Sequence, residues 1–286
     1  MAYILNDPTI FGLQLNPLDV YYLSTENKIF DGDYLAVRWA QSKGLTNVKF
    51  TNAAAKKGHL KSLRYLHEKG CPWDRETCSL AARNGHLDCL KYAHENGCLW
   101  SNLISYGVSV NGHLHILEYL HAKDIPLISD ACYGAAAYGH LDCLIYLHEN
   151  GAEWEEETYR GAIDGGHLNC LIYLYEEGCP WPIDVCNIAA VCGRLDALIY
   201  LHNKGCPWNT RTCAVAALNG HLDCLIYLHE NNCPWDEDTC SRAARYGHID
   251  CLKYAIENGC PIDEEACFFT RSHEIVDYLI GKGLCV

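Results

Sequence analysis

Cysteine is the residue type in this chain with the greatest capacity for chemistry. There are 19 cysteines among 286 residues, enough for a disulfide framework or for several zinc sites. All except Cys192 and Cys285 fall into three columns whose members lie 27 residues, or a multiple of 27, apart. The columns are Cys71, Cys98, Cys179, Cys206, Cys233 and Cys260; Cys78, Cys132, Cys186, Cys213, Cys240 and Cys267; and Cys89, Cys143, Cys170, Cys224 and Cys251.

The equivalent positions in other copies are not all cysteine. Ile125 and Ala152 stand in the first column, Tyr159 in the second and Ile116 in the third. A zinc ligand or half of a disulfide could not become Ile, Ala or Tyr without loss of its site, whereas free Cys packs as a small apolar group. We therefore predict reduced packing cysteines without metal, in a reducing intracellular compartment. Metal binding and disulfide bonding are the less favoured alternatives.

Histidine recurs in the same way, at two positions of the repeated segment. Arg194 replaces it once at the first position, and Tyr175 and Ile256 replace it at the second. Such replacements indicate a structural role for both sets rather than a catalytic base or a ligand. The sequence also contains no nucleophile elbow, phosphate-binding glycine loop or His-Glu-x-x-His motif. It predicts no catalytic residue, no cofactor and no small-molecule substrate, and hence a protein that is not an enzyme.

The elements that must position these columns are copies of one 27-residue unit. One full copy reads DRETCSLAARNGHLDCLKYAHENGCLW from Asp74. A Gly-His dipeptide, or Gly-Arg once, marks the same point of each copy, and its glycines are Gly58, Gly85, Gly112, Gly139, Gly166, Gly193, Gly220 and Gly247.

Each unit is predicted to contain two short helices. The first follows a capping residue and runs through a small-residue pair such as Ala81-Ala82, and Gly85 ends it. The second starts at His86 and stops at Asn96-Gly97. A Cys-Pro-Trp connector follows, because Pro cannot continue a helix. The capping candidates are Asp74, Ser101, Asp184, Asn209, Asp236 and Asp263.

Stacking of these helix pairs is needed for stability. Helices of about a dozen residues are marginal alone in water, and one pair cannot bury its leucine face. The sequence therefore predicts an all-α solenoid of about nine to ten helix-turn-helix units. We expect residues 1–31 to form a non-repeat N-terminal cap, residues 32–270 to form the array of 26–27-residue units and residues 271–286 to form a degenerate C-terminal capping repeat.

One repeated segment closely resembles the ankyrin repeat. It is Ala-Ala-Arg-Asn-Gly-His-Leu (Ala81 to Leu87), followed by an apolar helix and Asn-Gly. Ankyrin repeats run to about 33 residues, and the shorter unit has Cys-Pro-Trp-Asp where they extend a β-turn finger. The resemblance implies an ankyrin-like solenoid with short or absent fingers, and a His at the second helix that bonds neighbouring backbone. The 27-residue form is similar to repeat proteins abundant in giant viruses of amoebae and in some protists.

Charge and hydropathy exclude two classes of partner. Lys and Arg total 22 and Asp and Glu total 36, so the formal charge is 22 − 36 = −14. An acidic surface repels phosphate backbones, so we expect no nucleic-acid partner. No apolar run approaches the roughly 20 residues that span a bilayer, and the N-terminus lacks the pattern of a secretory signal, so we expect no membrane partner.

Residues that carry a specific function should lie at the positions where the copies of the repeat differ from one another. Three first-helix positions vary most, namely the residue before the small pair, the residue after it and the next one. In ankyrin proteins the matching positions line the concave face that grips partners, and aromatic and Arg residues are the usual anchors. The alternative is that these positions vary by drift on a solvent-exposed surface and bind no partner. The predicted partner-binding residues are Leu80, Arg83, Asn84, Val110, Tyr138, Asp164, Val191, Leu218, Arg242, Arg245, Tyr246 and Phe269.

The sequence thus favours a non-enzymatic scaffold for protein–protein interaction. The resemblance makes it a viral protein that binds a host or viral protein through this face, in the host cytoplasm or nucleus or within a virion. The alternative is a structural component of a virion or another large assembly.

Overall fold

The computed structural model describes residues 48–270 and 272–285. The predicted cap at residues 1–31 and the first predicted repeat segment, from Gly32, lie outside the described residues. Within the described part the chain is all-helical, with eighteen helices and no strand. The helices are α1 (Val48–Lys56), α2 (Leu60–Glu68), α3 (Arg75–Arg83), α4 (Leu87–Glu95), α5 (Ile104–Val110), α6 (Leu114–His121), α7 (Ser129–Ala137), α8 (Leu141–Glu149), α9 (Glu156–Gly165), α10 (Leu168–Glu176), α11 (Val185–Val191), α12 (Leu195–Asn203), α13 (Thr210–Leu218), α14 (Leu222–Glu230), α15 (Glu237–Tyr246), α16 (Ile249–Glu257), α17 (Glu265–Phe269) and α18 (His273–Gly281).

Each repeat consists of an odd-numbered helix followed by an even-numbered one, as α3 and α4 show. The Asp74 carboxylate accepts hydrogen bonds from the backbone N–H groups of Glu76 and Thr77, at 3.0 and 3.2 Å, and so satisfies two unpaired donors at the start of α3. Gly85 ends the first helix with a φ of +77°, a conformation that favours glycine. The His86 N–H then donates to the Ala81 carbonyl.

The predicted boundaries need small corrections. The second helix begins at Leu87, with His86 as the capping residue outside it, because the backbone of His86 is not helical. Ser101 is not the N-cap of α5. That position belongs to Leu103, whose N–H donates to the Ser101 hydroxyl at 3.2 Å. Asp263 likewise precedes the capping position of α17 and accepts from the N–H of Glu265.

The described helices group into two compact units. One comprises the described residues up to Ala131 together with Ile145–Gly151, and the other comprises Cys132–Leu144 together with the described residues from Ala152 onwards. In the first unit α3 packs on α1 and α5, and α2 packs on α4. In the second unit α9, α11, α13, α15 and α17 pack in succession, as do α10, α12, α14 and α16. First helices thus stack on first helices and second helices on second helices.

Small side chains make the first helices pack closely. Ala81 and Ala82 in α3, and Ala216 and Ala217 in α13, have no exposed surface. Their methyl groups allow neighbouring backbones to approach, while leucines of the second helices, such as Leu90, fill the remaining space. The prediction of an all-α fold made of ankyrin-like helix pairs is confirmed.

The connectors between repeats are short. Only residues 69–74 separate α2 from α3, and Thr51 in α1 donates to the Pro72 carbonyl at 2.9 Å. The prediction of short or absent fingers therefore holds for the described connectors. None of the described helices is long and apolar enough to cross a membrane.

Candidate functional site

The cysteine columns lie in the packed interior. Every free cysteine except Cys192 is buried. Burial, reinforced by the Asp88 carboxylate, raises the pKa of the Cys89 thiol to about 11, and burial beside Asp142 raises the pKa of Cys143 to about 12. Such thiols carry almost no thiolate at neutral pH and are poor nucleophiles and poor metal ligands.

The prediction of reduced packing cysteines is wrong for one pair. Cys267 and Cys285 form a disulfide, with their Cα atoms 6.0 Å apart. The physical reason is the shortened last repeat. Helix α17 has five residues, fewer than the first helices of the other described repeats, and Cys285 stands one residue beyond the connector position, which places its sulfur beside that of Cys267.

No metal cluster is present in the described part of the chain. Across residues 48–270 and 272–285, no group of three or more His, Cys, Asp and Glu side chains could hold a metal ion.

The first set of histidines links successive repeats through the backbone. His86 Nε2–H donates to the Lys56 carbonyl at 3.0 Å, and His221 Nε2–H donates to the Val191 carbonyl at 3.0 Å. The His86 ring also covers Gly58 of the preceding repeat. A Cβ at Gly58 would lie 2.5 Å from His86 Nδ1. The backbone bond implied by the ankyrin resemblance is therefore present, and it makes these histidines structural.

The second set of histidines forms a ring stack with the connector tryptophans. His67 stacks on Trp73 with centroids 4.0 Å apart, and its Nδ1 is hydrogen-bonded to the Tyr92 hydroxyl of the next repeat at 2.9 Å. The same bond joins His202 to Tyr227 and His229 to Tyr254. This second set of imidazoles is thus used in packing between repeats.

The predicted partner-binding residues all keep solvent-accessible surface. Those that are exposed are Asn84, Tyr138, Asp164, Val191, Arg245, Tyr246 and Phe269, and those that are half-buried are Leu80, Arg83, Val110, Leu218 and Arg242.

Five of these residues come together in a groove of the second unit. The groove has a volume of about 200 Å³ and lies between α13, α15 and α17. The Arg245 guanidinium lies over the Phe269 ring, 5.2 Å from its centroid, and Arg242 pairs with Asp238 at 2.8 Å. We call this the α15 groove. Its lining residues are Leu218, Asp238, Ser241, Arg242, Arg245, Tyr246, Glu265 and Phe269.

Two predicted residues, Arg83 and Val110, line a separate groove of the first unit. This groove has a volume of about 430 Å³ and lies between α3 and α5. The Arg83 side chain packs directly on Gly107 in this groove. A Cβ there would lie 2.7 Å from Arg83 Cγ. The Arg83 guanidinium is paired with Glu76 at 2.5 Å.

The remaining predicted residues line neither groove, and the side chains of two of them serve the framework. Asn84 donates its side-chain amide to the Leu80 carbonyl at 2.8 Å, which caps the end of α3. The Asp164 carboxylate accepts from the Cys192 thiol at 3.0 Å. Tyr138 and Val191 are exposed but belong to neither groove.

The acidic residues of the grooves were not among the predicted site residues. Glu76 and Asp238 pair with Arg83 and Arg242, which lie seven and four residues further along the same helices. The i,i+4 spacing of Asp238 and Arg242 is a recognisable ion-pair signal in sequence. Leu103 and Tyr106, which also line the first-unit groove, had no comparable signal in the sequence.

Comparison with known protein families identifies the fold. The family model described as ankyrin repeats (many copies) matches residues 52–94, which include α2, α3 and most of α1 and α4. Residues 52–94 are thus ankyrin repeats, and the same pair of helices recurs through the described chain. No curated protein matches it. Ankyrin repeats generally mediate protein–protein interaction, and their all-helical fold is typically non-enzymatic.

Proposed function

We propose that this ankyrin-repeat protein is a non-enzymatic interaction module that binds a partner protein through its first-helix face, with the α15 groove as the anchor site. One observation carries the proposal: Arg245, Tyr246 and Phe269 are exposed and adjacent in one concavity. The exposed fractions of Tyr246 and Phe269 are 57% and 47%. Large exposed aromatic side chains gain most from being covered by a partner, and Tyr and Arg are enriched among binding hot spots.

The size of the α15 groove favours a protein side chain over a small-molecule substrate. Its volume of about 200 Å³ is below the roughly 300–1,000 Å³ of cofactor and ligand pockets. Leu218 lines its apolar part, and the Arg242–Asp238 pair supplies a polar rim. An apolar centre with a polar rim is the usual organisation of a protein interface.

The charges of the groove indicate the chemistry of the partner segment. Arg242 is neutralised by Asp238, whereas Arg245 contacts an aromatic ring and has no ion pair within the described chain. We expect the partner to insert an apolar side chain beside Phe269 and to place a carboxylate near Arg245. The resemblance to giant-virus repeat proteins makes host or viral proteins the first candidates.

Partner capture with matched arginine variants tests the proposal. Arg64 on α2 is the control, because it is also exposed and lies over an aromatic ring of the next repeat, 5.1 Å from the Tyr92 centroid, but on a second helix. A partner captured from the native source, identified by mass spectrometry and purified, should bind Arg245→Ala and Tyr246→Ala at least tenfold more weakly than the unaltered protein. Arg64→Ala should bind within twofold of it.

Two results would overturn the proposal. The first is equal binding by the α15-groove variants and the Arg64→Ala control. The second is assembly of the pure chain into large particles during sedimentation, which would instead favour a structural component of a virion or another large assembly.

A further inference from the structure

The first-helix cysteine and the connector cysteine of one repeat lie together in several repeats. The Cys78 thiol donates to the Cys98 carbonyl at 3.6 Å and the Cys186 thiol donates to the Cys206 carbonyl at 3.9 Å, and these cysteines are all buried and free. Cys213 with Cys233, and Cys240 with Cys260, occupy the same positions of their repeats and are likewise buried and free. In the last described repeat Leu284 stands at the connector position, and Cys267 is joined covalently to the following residue, Cys285; both cysteines are only half-buried. This disulfide is therefore more accessible to a reagent than the buried thiols of the other repeats.

We propose that the Cys267–Cys285 disulfide is a redox-controlled clasp that holds α17 in place and thereby keeps the α15 groove formed. This inference rests on the proposed function, because it assigns a means of regulation to the same site.

Helix α17 packs against α15, but it is short and largely exposed, so we infer that the clasp contributes much of what holds it in place. It has five residues, of which only Ala266 is buried, and Phe268 is 78% exposed. Isolated helices this short do not persist in water. A second tether is the hydrogen bond from the Ser241 hydroxyl to the Asp263 carboxylate, 2.7 Å long, and it precedes the helix. The disulfide is therefore the only covalent tether from α17 to a distant point of the described chain, 18 residues away.

Helix α17 in turn supplies one wall of the α15 groove. Glu265 and Phe269 both line the groove, and each is two residues from Cys267. The Phe269 ring is the surface on which the Arg245 guanidinium rests. If α17 unwinds, this contact is lost and the concavity opens on that side.

The chemistry of opening is thiol–disulfide exchange with a small dithiol reductant. One reductant thiolate attacks a clasp sulfur and forms a mixed disulfide, and the other clasp sulfur leaves as a thiolate and takes up a proton. The second reductant thiol then displaces the first clasp sulfur. Two electrons pass to the clasp, which becomes two thiols, and the reductant becomes a disulfide. The buried cysteines are already thiols, so the reductant has no bond to break there.

Hydrogen exchange with a matched cysteine control tests the clasp. Cys192→Ser is the control, because Cys192 is also half-buried but is free, and serine can still donate to Asp164. Amides in residues 262–270 of the air-oxidised protein should exchange at least tenfold faster after dithiothreitol is added. Those of α13 should not change. In Cys192→Ser, dithiothreitol should accelerate amide exchange in residues 262–270 as much as it does in the unaltered protein. Cys285→Ser, and Cys267→Ser as a second variant, should exchange fast with or without reductant.

Two outcomes would overturn the clasp. One is identical exchange of residues 262–270 in both redox states. The other is a peptide map, made without reductant, that shows both Cys267 and Cys285 as free thiols. Neither measurement uses a partner, so failure of the proposed function, seen as unchanged binding by Arg245→Ala, is distinguishable from failure of the clasp.

Discussion

Tyr175 and Tyr200 pack edge to face, with ring centroids 5.9 Å apart, at the point where other repeats join a histidine to a tyrosine by a hydrogen bond. Tyr175 occupies the position held by His202 in the next repeat. Because no imidazole is present there, the Tyr200 hydroxyl is buried with no hydrogen-bond partner within the described chain. One substitution has thus interrupted the stack of rings between repeats.

Restoring the histidine should stabilise the protein. In Tyr175→His the new imidazole can bond the Tyr200 hydroxyl, as His202 bonds Tyr227 at 2.9 Å. A hydrogen bond to a buried polar group contributes about 1 kcal/mol, so the free energy of unfolding in urea should rise by about that amount.

Two phenylalanine variants serve as controls for this prediction. Tyr227→Phe removes a hydroxyl that is bonded and should cost about 1 kcal/mol, whereas Tyr200→Phe removes one that is unbonded and should cost nothing or stabilise slightly. Equal costs for the two variants would contradict the account of the ring stack.

Gly58→Ala should destabilise the protein far more than Gly70→Ala. Both glycines have φ near +70°, so each alanine meets the same backbone penalty of about 1–2 kcal/mol. A Cβ at Gly58 would also lie 2.5 Å from His86 Nδ1, whereas at Gly70 it would meet no atom within 4 Å. We expect an additional cost of about 1–3 kcal/mol at Gly58, measured by denaturant unfolding. Equal costs would show that the His86 ring moves aside freely.

The sequence predicted the framework because each of its parts is repeated. Gly85 and its equivalents, the alanine pairs and the capping aspartate Asp74 act within one or two turns of chain, so pattern and local chemistry suffice. Ser101 and Asp263 failed as caps because a cap depends on backbone angles at one residue, and the connectors before α5 and α17 differ slightly from the others.

The site was predicted only in part, because its geometry depends on departures from the repeat. The variation between repeats predicted Arg245, Tyr246 and Phe269 as partner-binding residues, and all three line the α15 groove. The Cys267–Cys285 bond was missed because Cys285 stands one residue beyond the connector position, outside the cysteine columns, and meets Cys267 only in the shortened last repeat. The first-unit groove was missed because it arises where a single glycine, Gly107, stands beside Arg83.

Alkaline pH should weaken the fold through the buried thiols. Burial raises the pKa of Cys89 from 9.0 to about 11. Between pH 9 and 11 the unfolded chain therefore releases a proton that the folded chain keeps, so this contribution to stability is complete below pH 9 and is lost as pH rises through 11. Each such thiol lowers the free energy of unfolding by up to about 1.4 kcal/mol per pH unit in that range.

Urea titrations at pH 8, 9 and 10, with reductant present, measure this slope. Cys89→Ala should be less stable at pH 8, because a buried side chain is truncated, but should lose stability less steeply between pH 9 and 10. Parallel pH dependence of the variant and the unaltered protein would show that the Cys89 thiol does not control the slope.

The central claim is that a protein partner sits on the first-helix face at the α15 groove, and site-specific photo-cross-linking tests it most directly. A benzophenone side chain replaces Tyr246 in one variant and Lys61, which is exposed on the second helix α2, in another. Each variant is irradiated with the captured partner, and cross-linked peptides are mapped by mass spectrometry. The account predicts a covalent product from position 246 and none from position 61. A product from position 61 alone would contradict it.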